Sequence, residues 1–419
     1  MRIVVEAANS GAARLVQDRL TAAGIEAAAS MSNGARDAVI RIFGNDQGDV
    51  LTGAPPLARL LVATDAMSPP SAIGFDGAIA IDAPPTLLRR QIDFWTRLGV
   101  ATEERARRAA TAEAFGLKHP SEAPDRALKA LYIGAPNAAF LALERAIQDQ
   151  GGHVAGAFSS FSGLDHLHDE GFDAVVLNGA DSKQLALSVC SALRRNTALF
   201  EMPTLVVVAR GDTATAREAI DRGACAVLEA YAASDTTVAW LLEAVRNERR
   251  RRSTERALHG LRDIMSELHS GLWRSTEFHA HLARLAIDHQ ANGRPLALAA
   301  LRVLPAHGAR RPNEAVWKRG FAEVASIAAR LCRPADSATA FPDDVIILAL
   351  PASSFAAARR VADRTTAVAS CTAFVAGDQS AAPLVLEQSI VELHPGESGQ
   401  AALGRLLRGI DLEHLTGAA

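Results

Sequence analysis

The residue types that could do chemistry are few, and arginine dominates them. Only Lys118, Lys129, Lys183 and Lys318 stand as lysines among 44 basic side chains, so forty are arginines. Any anion or guanine site in this chain is therefore built from planar forks of donors and not from point charges. One spacing stands out: Arg333 and Asp336 lie three residues apart, with Arg364 further along. Taken alone, an Arg-x-x-Asp spacing usually marks a surface ion pair. His166, His168, Asp169 and Glu170 have the composition of a metal cluster. On a helix, positions two apart do not share a face, and His279 and His281 fail in the same way. Cys190, Cys225, Cys332 and Cys371 are far apart and form no CxxC pair. This argues against a metal ribbon or a disulfide framework and predicts a reduced, cytoplasmic chain with cysteines in its core. No GxxxxGK[ST] loop and no GxGxxG is present.

The elements that must position these residues fall into three segments. With 419 residues, 49% of them apolar, about three domains are expected. A net charge of −3 with 22% charged residues argues against a nucleic-acid-coating protein or a disordered acidic tail. The N-terminus lacks the apolar core of a signal peptide, and no apolar run reaches the roughly 18 residues of a membrane span.

Residues 1–117 alternate strand-like runs (2–8, 25–29, 59–64, 77–81) with helical stretches (12–23, 86–98), which predicts a parallel sheet. Residues 30–56 are Gly- and Asp-rich and carry no clear assignment; 102–121 reads as a polar helix and linker. Residues 128–246 repeat the alternation five times, a flavodoxin-like order whose ligands sit at the carboxyl ends of the strands. Residues 247–261, with Arg249–Arg252, read as a solvated linker helix. A nucleic-acid arm needs neighbouring aromatics or more basic surface. Residues 262–419 form the third segment.

The second segment resembles a response-regulator receiver domain in its runs FDAVVLNGAD, MPTLVVVARGD and AIDRGACAVLEAY. The first segment is similar to a shortened receiver, with Thr64 a candidate for its hydroxyl position. In that family an Asp ends the third strand and accepts phosphate, acidic residues after the first strand hold Mg²⁺, and a Lys ends the fifth. In the second segment Asn178 stands at the phospho-acceptor, Ala135 and Pro136 replace the acidic pair, Val208 or Ala209 replaces the hydroxyl, and Glu229 or Ala230 the lysine. Phosphotransfer needs a carboxylate nucleophile and a metal, and an Asn amide supplies neither. The expectation is a receiver fold kept for dimerisation or docking.

The third segment resembles a GGDEF (diguanylate cyclase) domain. Ser270, Gly271, Leu272 and Phe278 match its opening, 296–304 its first core strand and 321–331 its next helix. Residues 333–351 match RxxDxxxRxGGDEFxxxxP without a gap, with Ala340 in place of the second Arg. The order of the three segments resembles the receiver–receiver–GGDEF order of PleD/PopA-like regulators. The signature itself reads Pro342, Asp343, Asp344, Val345, Ile346, and Arg302 stands at the metal-binding Asp of the first strand. Pro342 fixes φ and removes an N–H where glycines let backbone approach phosphate, and cyclase chemistry needs two metals held by carboxylates. Cyclase activity is therefore expected to be lost, with no metal and no Mg²⁺ requirement for binding.

The resemblance also implies a product-binding site at Arg333, Asp336 and Arg364, the ligand being cyclic di-GMP. An Arg fork can donate to guanine O6 and N7, Asp can accept from the N1–H and N2–H₂ edge, and a second Arg can neutralise phosphate or stack. Pro334 inside the motif is a departure. The expected function is a non-catalytic cyclic di-GMP effector in bacterial signalling. It would be a homodimer through its receivers, resembling adaptors that direct regulated proteolysis at the cell pole. The alternatives are an active diguanylate cyclase and a ligand-free dimeric scaffold.

Overall fold

The computed structural model describes residues 2–31, 38–44, 55–63, 74–118, 126–169, 171–230, 234–267, 271–305, 311, 313–342, 344–372 and 384–416. Thr64, Ser270 and Asp343 lie outside the described residues.

The first unit comprises β1 (Arg2–Ala7), α1 (Ser10–Ala22), β2 (Ala28–Met31), β3 (Val39–Phe43), β4 (Ala58–Ala63), β5 (Gly77–Ala80) and α2 (Pro85–Ala114). Its sheet order, β2-β1-β3-β4-β5, is the flavodoxin order, but β3 runs antiparallel to both neighbours. A parallel return needs a crossover of about a dozen residues or more. The chain from Met31 to Val39 is shorter than that, so β3 enters reversed. The sequence reading left this strand unassigned and expected only parallel strands. Asn9 caps α1 by accepting from the Ala12 amide at 2.8 Å. Gly77 lets the Trp95 ring lie against β5; a Cβ there would sit 2.1 Å from the ring.

The second unit follows with β6 (Lys129–Ile133), α3 (Ala138–Gln148), β7 (His153–Ala157), α4 (Ser160–Asp169), β8 (Ala174–Asn178), α5 (Lys183–Arg195), β9 (Thr204–Val208), α6 (Thr213–Asp221) and β10 (Ala226–Glu229). Its sheet, β10-β9-β8-β6-β7, is parallel throughout, and β8 is buried at every position. Parallel strands covered by helices on both faces read as unbroken apolar runs, which is why this unit is so plain in the sequence.

α7 (Ser234–Met265) is a single 32-residue helix that runs through the expected linker. Its start packs Val238, Leu241 and Val245 on the second sheet, and its end packs Leu261 and Met265 into the third unit. The linker arginines are not simply solvated. Arg249 pairs with Asp173 at 2.8 Å, Arg250 with Asp76 at 3.0 Å, and Arg251 and Arg252 with Glu248 at 2.8 and 2.6 Å. α2 is likewise one 30-residue helix, about 45 Å long. Leu88, Ile92, Trp95 and Leu98 pack into the first unit's core, while Ala112 packs into the third's. Two long helices thus join the first two units to the C-terminal unit.

That unit contains α8 (Ser275–Ala291), β11 (Leu296–Pro305), α9 (Glu314–Leu331), β12 (Ser337–Phe341), β13 (Val345–Pro351), α10 (Phe355–Thr372), β14 (Leu384–Glu392) and α11 (Gly399–Thr416). The sheet is antiparallel, β12-β13-β11-β14. Alternate residues of β11 face opposite layers: Leu296, Leu298 and Ala300 pack with α8 and α11, and Ala297, Ala299 and Leu301 with α9 and α10. No helix among the described residues is long and apolar enough to cross a membrane.

Candidate functional site

The turn between α9 and β12 gathers the three residues singled out for ligand binding. Pro334 is the second residue of a β-turn closed by the Asp336 amide donating to the Arg333 carbonyl at 2.9 Å. Proline favours that position, so the apparent departure fits the local backbone. The Arg333 amide donates to Asp336 Oδ2 at 2.8 Å, and Arg333 Nη2 donates to Asp336 Oδ1 at 2.8 Å. Nη2 also reaches Ser353 Oγ at 2.8 Å and the Pro351 carbonyl at 3.2 Å. Arg364, on α10, donates through Nη2 to the Leu331 carbonyl at 2.7 Å. Arg333 and Arg364 are both exposed.

Asp336 differs from its expected role. Its carboxylate is fully buried and both oxygens are taken by Arg333. It anchors the Arg333 fork and presents no free edge to a guanine. Nearby, burial pushes the Cys332 thiol well above its ordinary range, and Asp336 adds to the effect.

The turn has a rigid floor. Ala352 holds φ at +50°, a left-handed conformation costly for a residue with a Cβ. Its amide donates to His289 Nε2 at 3.2 Å, while His289 Nδ1 lies 2.9 Å from the Leu285 carbonyl. That pattern needs a neutral imidazole with its proton on Nδ1. Burial, with Arg107 adding, lowers the His289 pKa to about 4. The unfolded chain takes a proton near pH 6.5 and the folded one does not, so stability falls as pH drops from about 6.5 towards 4. Between pH 7 and 5 the expected loss is about 2 kcal/mol. Urea midpoints at the two pH values should differ less in His289→Gln than in the native protein.

Pro342, Asp344, Val345 and Ile346 lie in the β12–β13 hairpin. Pro342 is exposed there, and Asp344 adopts φ of 61°. The Asp344 carboxylate accepts from Arg311 Nη1 at 2.7 Å. Val345 and Ile346 are buried in the sheet. Register sets Arg302 between Val345 on one side and Glu387 on the other. Arg302 thus brings a guanidinium and Val345 an apolar side chain beside Asp344, whose carboxylate is paired with Arg311. Among the described residues no group of His, Cys, Asp or Glu could hold a metal ion.

At the top of the second sheet, Asn178 is buried and hydrogen-bonded. Its Nδ2 donates to Asp181 Oδ2 at 2.6 Å and to the Ala135 carbonyl at 3.3 Å, and its Oδ1 accepts from the Asp181 amide at 3.3 Å. Asn137 Nδ2 also donates to Asp181 Oδ2, at 2.9 Å. This amide network ties the carboxyl end of β8 to the chain after β6. Burial and the nearby Asp181 push the Tyr132 hydroxyl up to about 12. Glu229, at the end of β10, accepts from the Gly211 amide at 3.0 Å. Asn178→Asp is expected to take up no phosphoryl group from acetyl phosphate. It should also cost about 1–3 kcal/mol in denaturant unfolding, because two donors become acceptors facing acceptors.

Sequence reasoning missed the residues behind the turn. Glu104 on α2 is fully buried; its Oε1 accepts from Arg108 Nε at 2.8 Å and from His281 Nε2 at 2.8 Å, and its Oε2 from Arg107 Nε at 3.1 Å. Burial opposes ionisation of Glu104, yet His281, Arg108 and Arg107 facing it hold its carboxyl well below the usual range. Burial and the two guanidiniums keep His281 neutral at pH 7 against the pull of Glu104. The only sequence signal was an i, i+3, i+4 pattern of Glu104, Arg107 and Arg108, which ordinarily marks a solvated face.

No protein-family model matches the chain, and no curated protein sequence matches it. Among solved structures, the GGDEF domain of DgcB from Caulobacter crescentus, in complex with c-di-GMP, is 16% identical. That match covers 36% of this chain and 89% of that one, with a TM-score of 0.32. A response regulator from Thermotoga maritima is also 16% identical, covering 29% of this chain and 99% of that one, with a TM-score of 0.27. Likenesses this low carry no argument about chemistry. The strand orders carry the fold: two flavodoxin-like α/β domains, the first with one reversed strand, followed by an α/β domain whose four-stranded antiparallel sheet lies between helical layers.

Proposed function

We propose that this chain is a non-catalytic cyclic di-GMP-binding effector of PleD/PopA-like organisation. The observation that carries the reading is the convergence of Arg333 and Arg364 on one turn, both exposed, with Arg333 held in place by buried Asp336. Two guanidiniums so placed suit a ligand that offers guanine edges and phosphates. Arg333 and Arg364 make the contacts and Asp336 orients Arg333. The signature hairpin supports the non-catalytic part, since Arg302 and Val345 stand where metal carboxylates are needed. The receiver-like domains serve as docking or dimerisation modules. The resemblance extends this to a cytoplasmic adaptor for regulated proteolysis at the cell pole.

Thermal melting of the full chain with and without cyclic di-GMP tests the reading. Ligand at 100 times its Kd should add about 2.7 kcal/mol to the state that binds it. The same protein given GTP and Mg²⁺ should form no cyclic di-GMP. An unchanged melt at saturating ligand, or clear product formation, would overturn the proposal.

A further inference from the structure

The Arg333–Asp336 turn is held from behind by another domain. Arg108, near the end of α2, is fully buried, and each of its three guanidinium nitrogens donates a hydrogen bond. Nε donates to Glu104 at 2.8 Å, Nη1 to the Leu258 carbonyl of α7 at 3.2 Å, and Nη2 to the Asp336 carbonyl at 2.8 Å. The fork lies 5.1 Å over the Trp273 ring. One side chain therefore joins the helix of the first unit, the connecting helix and the main chain of the turn. Independent contacts point the same way. Ala335 is packed into the first unit's core, and Ala352 lies against it. Arg294, at the end of α8, donates to the Pro55 carbonyl at 2.9 Å and pairs with Glu103.

We infer that Arg108 is a positioning residue of the Arg333–Asp336 turn, so that the first, receiver-like domain sets the conformation in which the third domain meets its ligand. This rests on reading that turn as the ligand site. The physical links are short. Glu104 fixes the Arg108 fork, Arg108 fixes the Asp336 main chain, and the Asp336 carboxylate fixes the Arg333 fork. A buried guanidinium leaves its carboxylate only at large cost, which makes the arrangement stiff. Any displacement of α2 must either carry the turn with it or break the Nη2 bond.

Two readouts on the full chain test this, one without ligand. Cys332 caps the C-terminus of α9, directly before the turn, and Cys190 is buried in the second domain as a control for unfolding. In a Cys371→Ser background, alkylation of each thiol by N-ethylmaleimide is followed by mass spectrometry. Arg108→Lys keeps a charge for Glu104 but loses the fork that reaches Asp336. It should raise the Cys332 rate at least tenfold with Cys190 unchanged, and weaken cyclic di-GMP binding at least tenfold. If Cys190 labelling rises too, the double variant Glu104→Gln/Arg108→Met replaces it, since it removes both buried charges together. An unchanged Cys332 rate overturns the inference, as does a raised rate with unaltered affinity. If the native protein binds no cyclic di-GMP while the Cys332 rate still rises, Arg108 positions the turn and the ligand reading alone fails.

Discussion

Replacing Glu104 with alanine is expected to destabilise the C-terminal unit by about 3–5 kcal/mol, a loss large enough to unfold many domains outright. Arg108 is fully buried and loses its carboxylate in this variant, while Arg107, nearly as buried, loses its nearest partner and keeps Glu103 at 3.6 Å and Asp288 at 4.0 Å. The His281 Nε2–H loses its acceptor in the same step. Each buried donor left unpaired costs roughly 1–3 kcal/mol, and a buried charge costs more. Glu104→Gln keeps an oxygen for His281 and should cost less. Adding Arg108→Met to Glu104→Ala should recover part of the loss, because that pair of charges disappears together. Urea unfolding followed by Trp273 fluorescence reads all three variants. A change below about 1 kcal/mol in Glu104→Ala would contradict the description of this cluster.

Arg333→Ala is expected to weaken cyclic di-GMP binding about 100-fold or more, and Arg364→Ala about tenfold. A charge-assisted hydrogen bond is worth about 1.5–3 kcal/mol, and each 1.4 kcal/mol is a factor of ten in Kd. The two variants differ in what they leave behind. Without Arg333 the Asp336 carboxylate is buried and unpaired, so part of any loss reflects a disturbed turn. Arg364 gives up only its bond to the Leu331 carbonyl at the surface. Arg364→Ala is therefore the cleaner probe of ligand contact, and its melting temperature should match that of the native protein. Calorimetric titration of both variants reads the affinities. Native-like binding by both would remove the site from the account.

Much of this architecture is legible in the sequence. β6, β8, β9 and β11 are apolar runs buried on both faces, and they appear as such. β3 was not legible, because Val39–Phe43 lies in a Gly- and Asp-rich stretch and its reversal depends on the short return from β2. α2 looked like two pieces because its apolar face changes partners. Its first half packs on the first sheet, and its second half buries Glu104, Arg107 and Arg108, which no apolar pattern reveals. The triad of Arg333, Asp336 and Arg364 was legible through family resemblance, and the structure brings the three together. The inward turn of Asp336 was not, since sequence spacing is the same whether its carboxylate faces a ligand or Arg333. Nor was the meeting of the turn with Arg108, 228 residues away along the chain.

The central claim is that the third domain reads a guanine-bearing dinucleotide through Arg333 and Arg364 without turning over GTP. Calorimetric titration of cyclic di-GMP into the full chain, without Mg²⁺, tests it most directly. The account predicts saturable heat from the native protein, lost in Arg333→Ala. No heat from the native protein, or equal binding by the two, would contradict it.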